Sequence, residues 1–294
     1  MYIFKWFIIK VLKKTGLIKF FNFHLCKTIN GVQVKIPFIN GMGISNFFIN
    51  TEWLDSLLLS FMNNENDTFV DVGINIGQTL IKVKTHRPGI NYLGFEPNAS
   101  CISYCQKLIK VNNFSNCNIY NTALSSTIKL LVLEKTLIDD LRASIISQLR
   151  PEYFLYKENV MAIDYDSVFY DQNTSFIKID VEGAELDVIN GMKQSIKKYQ
   201  PLIVCEVLDS HHPSVFDFTQ NRATELSELI LSFNYSIIQL ETSIKKQKII
   251  AYNKIDTIKV KQWSPKSKDF NDYLFYPTIR ENEIISELSK FCTI

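Results

Sequence analysis

Short apolar runs alternate with stretches of helical periodicity from about residue 67 onwards, and this alternation limits the fold more than any other feature. The predicted strands are residues 68–72, 91–96, 117–121, 175–180, 201–207 and 235–241. The predicted helices are residues 77–85, 98–111, a helix that ends at Gly191, and 224–233. Strands that alternate with helices of this length form βαβ units and a parallel sheet covered on both faces. The sequence therefore predicts a doubly wound α/β fold with a mostly parallel sheet.

Two insertions interrupt the alternation. Residues 125–174 separate the third and fourth strands and contain two strand-like runs, residues 127–134 and 159–168. Residues 243–270 follow the sixth strand and are rich in lysine. Long excursions at the ends of parallel strands are where substrate specificity usually resides. We therefore expect both insertions to lie near a ligand site.

The charge is distributed unevenly between a basic N-terminal extension and a mildly acidic body. The formal net charge of +2 argues against a dedicated nucleic-acid binder. Seven lysines precede the first acidic residue, Glu52, and residues 52–294 hold the remaining 25 basic residues against 30 acidic ones, a net charge of −5. With 46% hydrophobic residues the chain can fill one large core, which excludes a mostly disordered protein. We expect an extension over residues 1–60 and one domain over residues 61–294.

Residues 1–24 are rich in lysine and aromatic residues. Lysines interrupt the apolar residues every four or five positions, so neither a membrane span nor a secretory signal is predicted. This composition suits a segment that lies in a membrane interface beside anionic lipid, and a helix packed on the main domain is the alternative. The six cysteines are too irregular for a disulfide framework. We therefore expect reduced thiols and a cytoplasmic protein, with peripheral contact at the inner face of the membrane left open.

The ends of the first two strands predict a nucleoside site. In open α/β sheets, ligands bind beyond the carboxyl ends of the strands, where the strand order reverses. The loop after the first strand offers the candidate ligand-binding residues Asp71, Gly73, Asn75, Gly77, Gln78 and Thr79. Asn75 and Gln78 replace two glycines of a dinucleotide fingerprint, and no Gly-Lys-Ser/Thr follows to make a P-loop. Glu96 ends the second strand, where a carboxylate can accept hydrogen bonds from both ribose hydroxyls.

Ionisable residues cluster at the ends of the fourth and fifth strands. Lys178 and Asp180 share one face of a strand that should be buried on both sides, which is costly unless they pair or serve a ligand. A structural ion pair is the alternative for Lys178. The candidate catalytic residues in these two regions are Lys178, Asp180, Glu182, Glu206, His211 and His212. One of the two neighbouring histidines could act as a general base or metal ligand, and a loop histidine without function is the alternative.

Four segments taken in order carry a resemblance to a known family. They are FVDVGINIGQT, GFEPN, and FIKIDVEGAELDVINGM followed by PLIVCEV. Together they resemble the FkbM family of class I S-adenosylmethionine-dependent methyltransferases, over residues 67–207 and loosely as far as a closing strand at 271–277. The resemblance implies a Rossmann-like sheet of the class I methyltransferase type and S-adenosylmethionine as cofactor. Its Lys-x-Asp-x-Glu-Gly-x-Glu signature is intact from Lys178 to Glu185, whereas Ile74 stands where a small residue is commoner, and we expect it to alter packing more than binding.

The resemblance also assigns roles to individual residues. It implies that the cofactor is held by Asp71, Gly73, Asn75 and Gly77, by Glu96 as the ribose-binding acid, and by residues near Ala123 and Leu124 beside the adenine. Asn98 and Asp180 are further candidate cofactor-binding residues. The implied reaction is O-methylation of a sugar or another hydroxylated product, which requires a base or metal to activate the hydroxyl. Our first choice of base is a carboxylate after the fourth strand, with one histidine second. Mg²⁺ held by these carboxylates stays open, because no ligand spacing requires it.

The first insertion would then form part of the acceptor site. Its polar residues that could hydrogen-bond a sugar are Asp139, Asp140, Arg142 and Ser144, and a solvated loop is the alternative. Two other functions compete with methyl transfer to a glycan or glycolipid precursor. One is a domain without catalytic activity that binds carbohydrate or a partner protein, which the intact acidic cluster argues against. The other is a nicotinamide-dependent oxidoreductase, which Asn75 and Gln78 argue against.

Overall fold

The structure is a computed structural model, and it describes four stretches of the chain: residues 22–49, 52–135, 156–243 and 248–292. Its strands are β1 (Phe23–Ile29), β2 (Val32–Phe38), β3 (Thr68–Val72), β4 (Asn91–Phe95), β5 (Cys117–Tyr120), β6 (Ala123–Leu124), β7 (Lys129–Lys135), β8 (Tyr156–Ile163), β9 (Thr174–Ile179), β10 (Leu202–Glu206), β11 (Tyr235–Thr242), β12 (Ile249–Ile255) and β13 (Asp272–Pro277). Its helices are α1 (Ile44–Phe47), α2 (Glu52–Phe61), α3 (Gln78–His86), α4 (Ala99–Asn112), α5 (Tyr165–Phe169), α6 (Glu185–Gly191), α7 (Lys193–Tyr199), α8 (Phe216–Leu231) and α9 (Glu281–Phe291).

Eight of these strands form the central sheet, in the order β12–β11–β13–β10–β9–β3–β4–β5. Strands β5, β4, β3, β9 and β10 are parallel, and β13 is antiparallel to both β10 and β11. The chain moves outward from β3 through β4 to β5, and then returns to place β9 on the other side of β3. This topology confirms the predicted α/β fold, and its order reverses between β3 and β9.

The sheet is buried on both faces because its strand residues alternate between two apolar layers. In β3, Phe69 packs in a layer with helices α2, α3, α4 and α9, whereas Val70 and Val72 pack in a second layer with α6, α7 and α8. Phe69 stacks between Tyr92 and Phe176 of the neighbouring strands, at centroid distances of 5.9 and 5.3 Å. Strands with two buried faces read as continuous apolar runs, which is why the sequence predicts them to within one or two residues.

The N-terminal hairpin and α2 share the core of the main sheet. Asn30 and Gly31 both have positive φ angles, 50° and 78°, as the tight turn between β1 and β2 requires. The amide of Asn112 in α4 both donates to and accepts from the backbone of Lys35 in β2. Asp55 in α2 binds Lys82 and His86 of α3. Residues 1–21 of the predicted leader lie outside the described residues, Asn22 directly precedes β1, and residues 23 and 24 are the first two of that strand.

Strands β7 and β8 of the first insertion form a second, small sheet with β6, which directly precedes the insertion, in the order β6–β8–β7. The predicted strand at 127–134 is confirmed as β7, shifted by one or two residues. The prediction for 159–168 is wrong in its second half, because α5 begins at Tyr165. Asp164 ends the strand there by accepting a hydrogen bond from the backbone of Ser167, which caps the helix.

The second insertion adds β12 to the edge of the main sheet and then runs back along α8. Gln220 in α8 accepts a hydrogen bond from the backbone of Val260 and donates one to that of Ile258. The predicted helix at 224–233 proves to be the second half of α8, which begins at Phe216. None of the helices in the described ranges is long and apolar enough to cross a bilayer.

Candidate functional site

A cleft opens at the carboxyl ends of β3, β4 and β9, where the strand order reverses. It encloses about 660 Å³, including space open to solvent. Its walls come from the loop after β3, the residues after β4, the small sheet and the turn after β9. Small-molecule sites commonly lie at this position of a doubly wound sheet.

The loop after β3 brings its backbone close to the turn after β9. Gly73 has a φ of 86°, and a Cβ atom there would lie 2.0 Å from the carbonyl oxygen of Asp180. The backbone N–H groups of Gly73 and Ile74 both donate to the carbonyl of Phe95, which ties the loop to the end of β4. Asn75 adopts a left-handed conformation with a φ of 53° and lines the cleft. The loop therefore requires glycine at position 73 and holds its shape by backbone contacts.

Ile74 and Gly77 serve packing within the same loop. The Ile74 side chain is buried, and a Cβ atom on Gly94 would lie 2.3 Å from its Cδ1 atom. Gly77 has a φ of 78°, and a Cβ atom there would approach Leu108 and Cys105 of α4 to 3.0 and 3.2 Å. Neither residue borders the cleft. Ile74 thus fills the space that Gly94 leaves in β4.

Glu96 places a buried carboxylate at the wall of the cleft. One of its oxygens accepts the backbone N–H of Asn75 at 2.9 Å, and the other accepts that of Asn98 at 2.9 Å. Burial raises the pKa of Glu96 to about 7, although these two hydrogen bonds oppose the rise. Asn98 in turn caps α4 through the backbone N–H of Ser100. Each carboxylate oxygen keeps acceptor capacity for a hydroxyl of a ligand.

The part of the cleft next to Glu96 is apolar. It is lined by Phe95, Pro97, Ala123, Leu124 and Leu133. Leu133 belongs to β7, so the small sheet built by the first insertion closes this side. A carboxylate beside an apolar recess suits a ligand that carries a ribose and an aromatic base.

Three ionisable side chains lie together at the β9 side of the cleft, opposite Glu96. They are Lys178, Asp180 and Asp71. Lys178 lies 3.0 Å from an oxygen of Asp180 and 3.9 Å from one of Asp71. Asp71 is fully buried and also accepts a hydrogen bond from the Tyr92 hydroxyl. Burial raises the pKa of the Asp71 carboxyl group. Burial lowers the pKa of Lys178, but the carboxylates of Asp180, Asp71 and then Glu206 outweigh it and leave the pKa above its usual range.

The turn after β9 carries Asp180, Val181 and Glu182 into the cleft. Glu182 has a φ of 54° and Gly183 one of 108°, so two successive residues are left-handed. Such a conformation is unfavourable for a residue with a side chain and persists only where its surroundings hold it. The Glu185 carboxylate accepts the N–H of Gly183 at 2.7 Å, and burial raises the pKa of Glu185 to about 7. The buried Glu185 carboxylate thus stabilises this turn through its hydrogen bond to the backbone of Gly183.

Arg222 of α8 supports the same turn from the other side. Its guanidinium group donates to the carbonyl of Gly183 at 3.2 Å and to the Asp187 carboxylate at 2.6 Å. Sequence reasoning missed Arg222, because it lies 39 residues from Gly183 and no local pattern marks it. The strained turn is therefore fixed by contacts from two helices.

The cleft brings together most of the predicted cofactor residues. Those that line it are Gly73, Asn75, Glu96, Asn98, Ala123, Leu124 and Asp180, together with Glu182 from the predicted catalytic group. Asp71 lies buried beneath it, Thr79 is buried within α3, and Gln78 is exposed at the start of that helix. The predicted acceptor residues Asp139, Asp140, Arg142 and Ser144 lie outside the described residues. Lining residues that the sequence reasoning missed are Val72, Phe95, Pro97, Cys101, Leu133 and Val181.

The remaining catalytic candidates lie beside the next strand. Glu206 ends β10, which pairs in parallel with β9. His211 stacks on Trp263 with ring centroids 5.2 Å apart. His212 is exposed and caps a short 3₁₀ helix, where its Nδ1 accepts the N–H of Ser214 at 3.2 Å. The two histidines thus point to different partners.

Among the described residues, no group of three or more histidine, cysteine, aspartate or glutamate side chains is arranged to hold a metal ion.

Comparison with known protein families gives one match that covers more than half of the chain. Residues 71–237 match the model of the methyltransferase FkbM domain. The match begins at Asp71, near the end of β3, and ends within β11. No curated protein matches the sequence significantly.

Several solved structures are similar in fold. A methyltransferase FkbM from Methylobacillus flagellatus KT is 16% identical with a TM-score of 0.45, and the match covers 72% of this chain and 44% of that one. This chain therefore spans less than half of that protein. TYW2 of M. jannaschii, solved in complex with AdoMet, is 12% identical with a TM-score of 0.40, covering 86% and 84% of the two chains. The precorrin-6y C5,15-methyltransferase from Geobacter metallireducens GS-15 is 10% identical with a TM-score of 0.38, covering 76% and 88%.

Proposed function

This chain belongs to the FkbM family of S-adenosylmethionine-dependent methyltransferases, and on that premise we propose that it methylates a hydroxyl group of a sugar, a glycan or a glycolipid precursor. The observation that carries the proposal is the cleft at the strand reversal. It combines a nucleoside-binding wall around Glu96 with an acidic wall at Asp180 and Glu182. The first wall suits the cofactor, and the second suits the activation of an acceptor.

The residues of the first wall fit the cofactor. When bound, S-adenosylmethionine would supply a methyl group on a positively charged sulfur; the acceptor oxygen would form a bond to the methyl carbon as the carbon–sulfur bond breaks, and neutral S-adenosylhomocysteine would leave. Glu96 would accept hydrogen bonds from the two ribose hydroxyls, because its oxygens are already oriented by the N–H groups of Asn75 and Asn98. Ala123, Leu124 and Leu133 would pack against the adenine. Gly73 lets the backbone of the loop approach the ligand closely.

The residues of the second wall would remove the proton from the acceptor hydroxyl. Asp180 shares Lys178 with Asp71, and a neighbouring ammonium group makes a carboxylate a weaker base. Glu182 lies on the same wall and projects from the strained turn, so we assign it the role of general base. Asp180 would then orient the acceptor hydroxyl or the cofactor. His211 is the second candidate for the base.

Cofactor binding is tested first, by thermal denaturation of the full chain with S-adenosylhomocysteine, with NAD and without ligand. A ligand that binds only the native state raises the melting temperature. We expect S-adenosylhomocysteine to raise it and NAD to leave it unchanged. A rise with NAD alone would favour an oxidoreductase, and no rise with either ligand would contradict the proposed cofactor.

The acceptor is then sought by incubating the enzyme with a labelled methyl donor and a set of glycans and glycolipid precursors. We expect one acceptor to gain a methoxy group that NMR assigns to a sugar carbon. Because a methyl ether survives mild alkali and a methyl ester does not, base treatment of the product separates hydroxyl from carboxylate methylation. Transfer to a carboxylate or a nitrogen atom would agree with methyltransferase activity but would contradict a sugar hydroxyl as the acceptor.

A further inference from the structure

Trp263 is an exposed aromatic side chain in a segment that is hydrogen-bonded to the residues after the carboxyl end of β10. Its side chain is 36% exposed, whereas Trp53 is 5% exposed and belongs to the core. The ring stacks on His211 with ring centroids 5.2 Å apart and an angle of 23° between the planes, which covers part of the ring and restricts its orientation. An exposed tryptophan restricted in this way offers a large contact area and loses little conformational entropy on binding.

Three hydrogen bonds hold this segment in place. The Asp209 carboxylate accepts the backbone N–H of Lys261 at 2.8 Å, the N–H of Ser210 donates to the carbonyl of Lys261 at 2.9 Å, and the N–H of Trp263 donates to the carbonyl of Ser210 at 2.8 Å. These contacts join residues 209–211, after β10, to residues 261–263 of the second insertion. We call these six residues the ledge.

The ledge follows β10, which lies next to β9 on the side away from β3 and β4. Strand β10 is parallel to β9, and Cys205 is aligned with Ile179, so Glu206, the last residue of β10, lies at the level of Asp180, the first residue after β9. His211 comes five residues after Glu206 and therefore lies within about 18 Å of it along an extended chain. An acceptor that reaches the acidic wall from the β10 side would meet the ledge.

The charges around Trp263 restrict what can bind there. Lys259, Lys261 and Lys266 are exposed neighbours of Trp263 in the sequence, which disfavours a cationic ligand. A pyranose ring presents a patch of C–H groups that packs on an aromatic face, while its hydroxyls need polar partners at the rim. The exposed side chain of Gln262 in the ledge can supply such a partner.

We infer that the ledge, through Trp263 stacked on His211, is the acceptor subsite and binds a pyranose ring of a neutral or acidic sugar. This inference rests on the proposed function and names the residues that select its substrate. Trp263 would hold the sugar, and the hydroxyl to be methylated would face Glu182. The second insertion would thus determine specificity.

The test measures sugar binding by saturation-transfer difference NMR on the full chain saturated with S-adenosylhomocysteine. The probes are methyl α-mannoside, methyl β-galactoside and methyl α-galacturonoside. We expect at least one probe to receive saturation on the C–H protons of one ring face. Trp263→Ala should weaken that binding at least about tenfold, and Trp263→Phe should keep it within about threefold.

Tyr170→Ala is the matched control, because Tyr170 is 39% exposed and precedes β9 at the opposite edge of the sheet. It should leave sugar binding unchanged. Absence of transfer to every probe in the wild-type protein, or equal transfer in Trp263→Ala, would overturn the inference. Calorimetry with S-adenosylhomocysteine on the same samples separates the two failures. If the wild-type protein does not bind S-adenosylhomocysteine, the proposed function is contradicted. If it binds S-adenosylhomocysteine but none of the sugars, only the assignment of the ledge as the acceptor subsite is contradicted.

Discussion

The two walls of the cleft hold their acidic groups by different means. On the β3–β4 side, Glu96 is fixed by two backbone N–H groups, and burial raises its pKa to about 7. On the β9 side, Asp180 is fixed by the ammonium group of Lys178, and Glu182 projects from a turn with two left-handed residues. Backbone contacts give a wall whose shape survives most side-chain changes, whereas ion pairs and strain give one that depends on particular side chains. Binding should therefore depend on the first wall and turnover on the second.

The largest effect is expected from changing the acid assigned as base. Glu182→Gln should lower kcat by about 10²–10⁴-fold, because the amide cannot accept the hydroxyl proton. The affinity for S-adenosylhomocysteine should stay within about threefold, as measured by calorimetry. Asp180→Asn is the companion variant. If both variants turn over at the wild-type rate, the acids of the β9 wall take no part in the proton transfer. The expectation that turnover depends on this wall would then be wrong.

The next effect tests the other wall. Glu96→Ala should weaken S-adenosylhomocysteine binding about 100-fold, since it removes a charged acceptor of two ribose hydrogen bonds. Glu225→Ala, which removes an exposed acid of α8, is the control and should bind normally. Calorimetric titration of both variants measures the difference. Equal affinities would mean that Glu96 does not contact the cofactor.

The raised pKa of Glu96 predicts a dependence of binding on pH. Only the ionised carboxylate accepts both ribose hydroxyls, and with a pKa of about 7 it becomes protonated as the pH falls through neutrality. The affinity for S-adenosylhomocysteine should therefore decrease by up to about tenfold from pH 8 to pH 6. Glu96→Gln should bind more weakly and show no such step. A step that persists in Glu96→Gln would assign the titration to another group.

The smallest effect concerns the support of the strained turn. Arg222→Gln removes the hydrogen bond to Gly183 and the ion pair with Asp187, so Glu182 should be held less firmly. We expect kcat to fall by up to about tenfold with cofactor affinity nearly unchanged, and Arg222→Lys to recover part of the loss. Steady-state kinetics with the identified acceptor measures both. A loss of cofactor affinity without a loss of kcat would show that Arg222 supports the binding wall instead.

Much of the fold and of the cofactor wall was predictable from local sequence. The parallel strands are buried on both faces, so their apolar runs stand out, and the loop from Asp71 to Gly77 and Glu96 follow such strands directly. The hairpin of β1 and β2 was missed although Asn30 and Gly31 are a strong turn signal. Helix α8 was predicted eight residues too short at its start, because its first half lacks a clear apolar stripe.

The sequence by itself determined the alternation of strands and helices, the family, and the chemical types of the residues at the strand ends. Only the tertiary structure decided that Leu133 of the small sheet closes the cleft, that Arg222 supports the turn at Gly183, and that Trp263 lies on His211. The physical reason is the range of the interactions. Periodicity and capping act over a few residues and can be read locally, whereas these three contacts depend on how distant elements pack around the sheet.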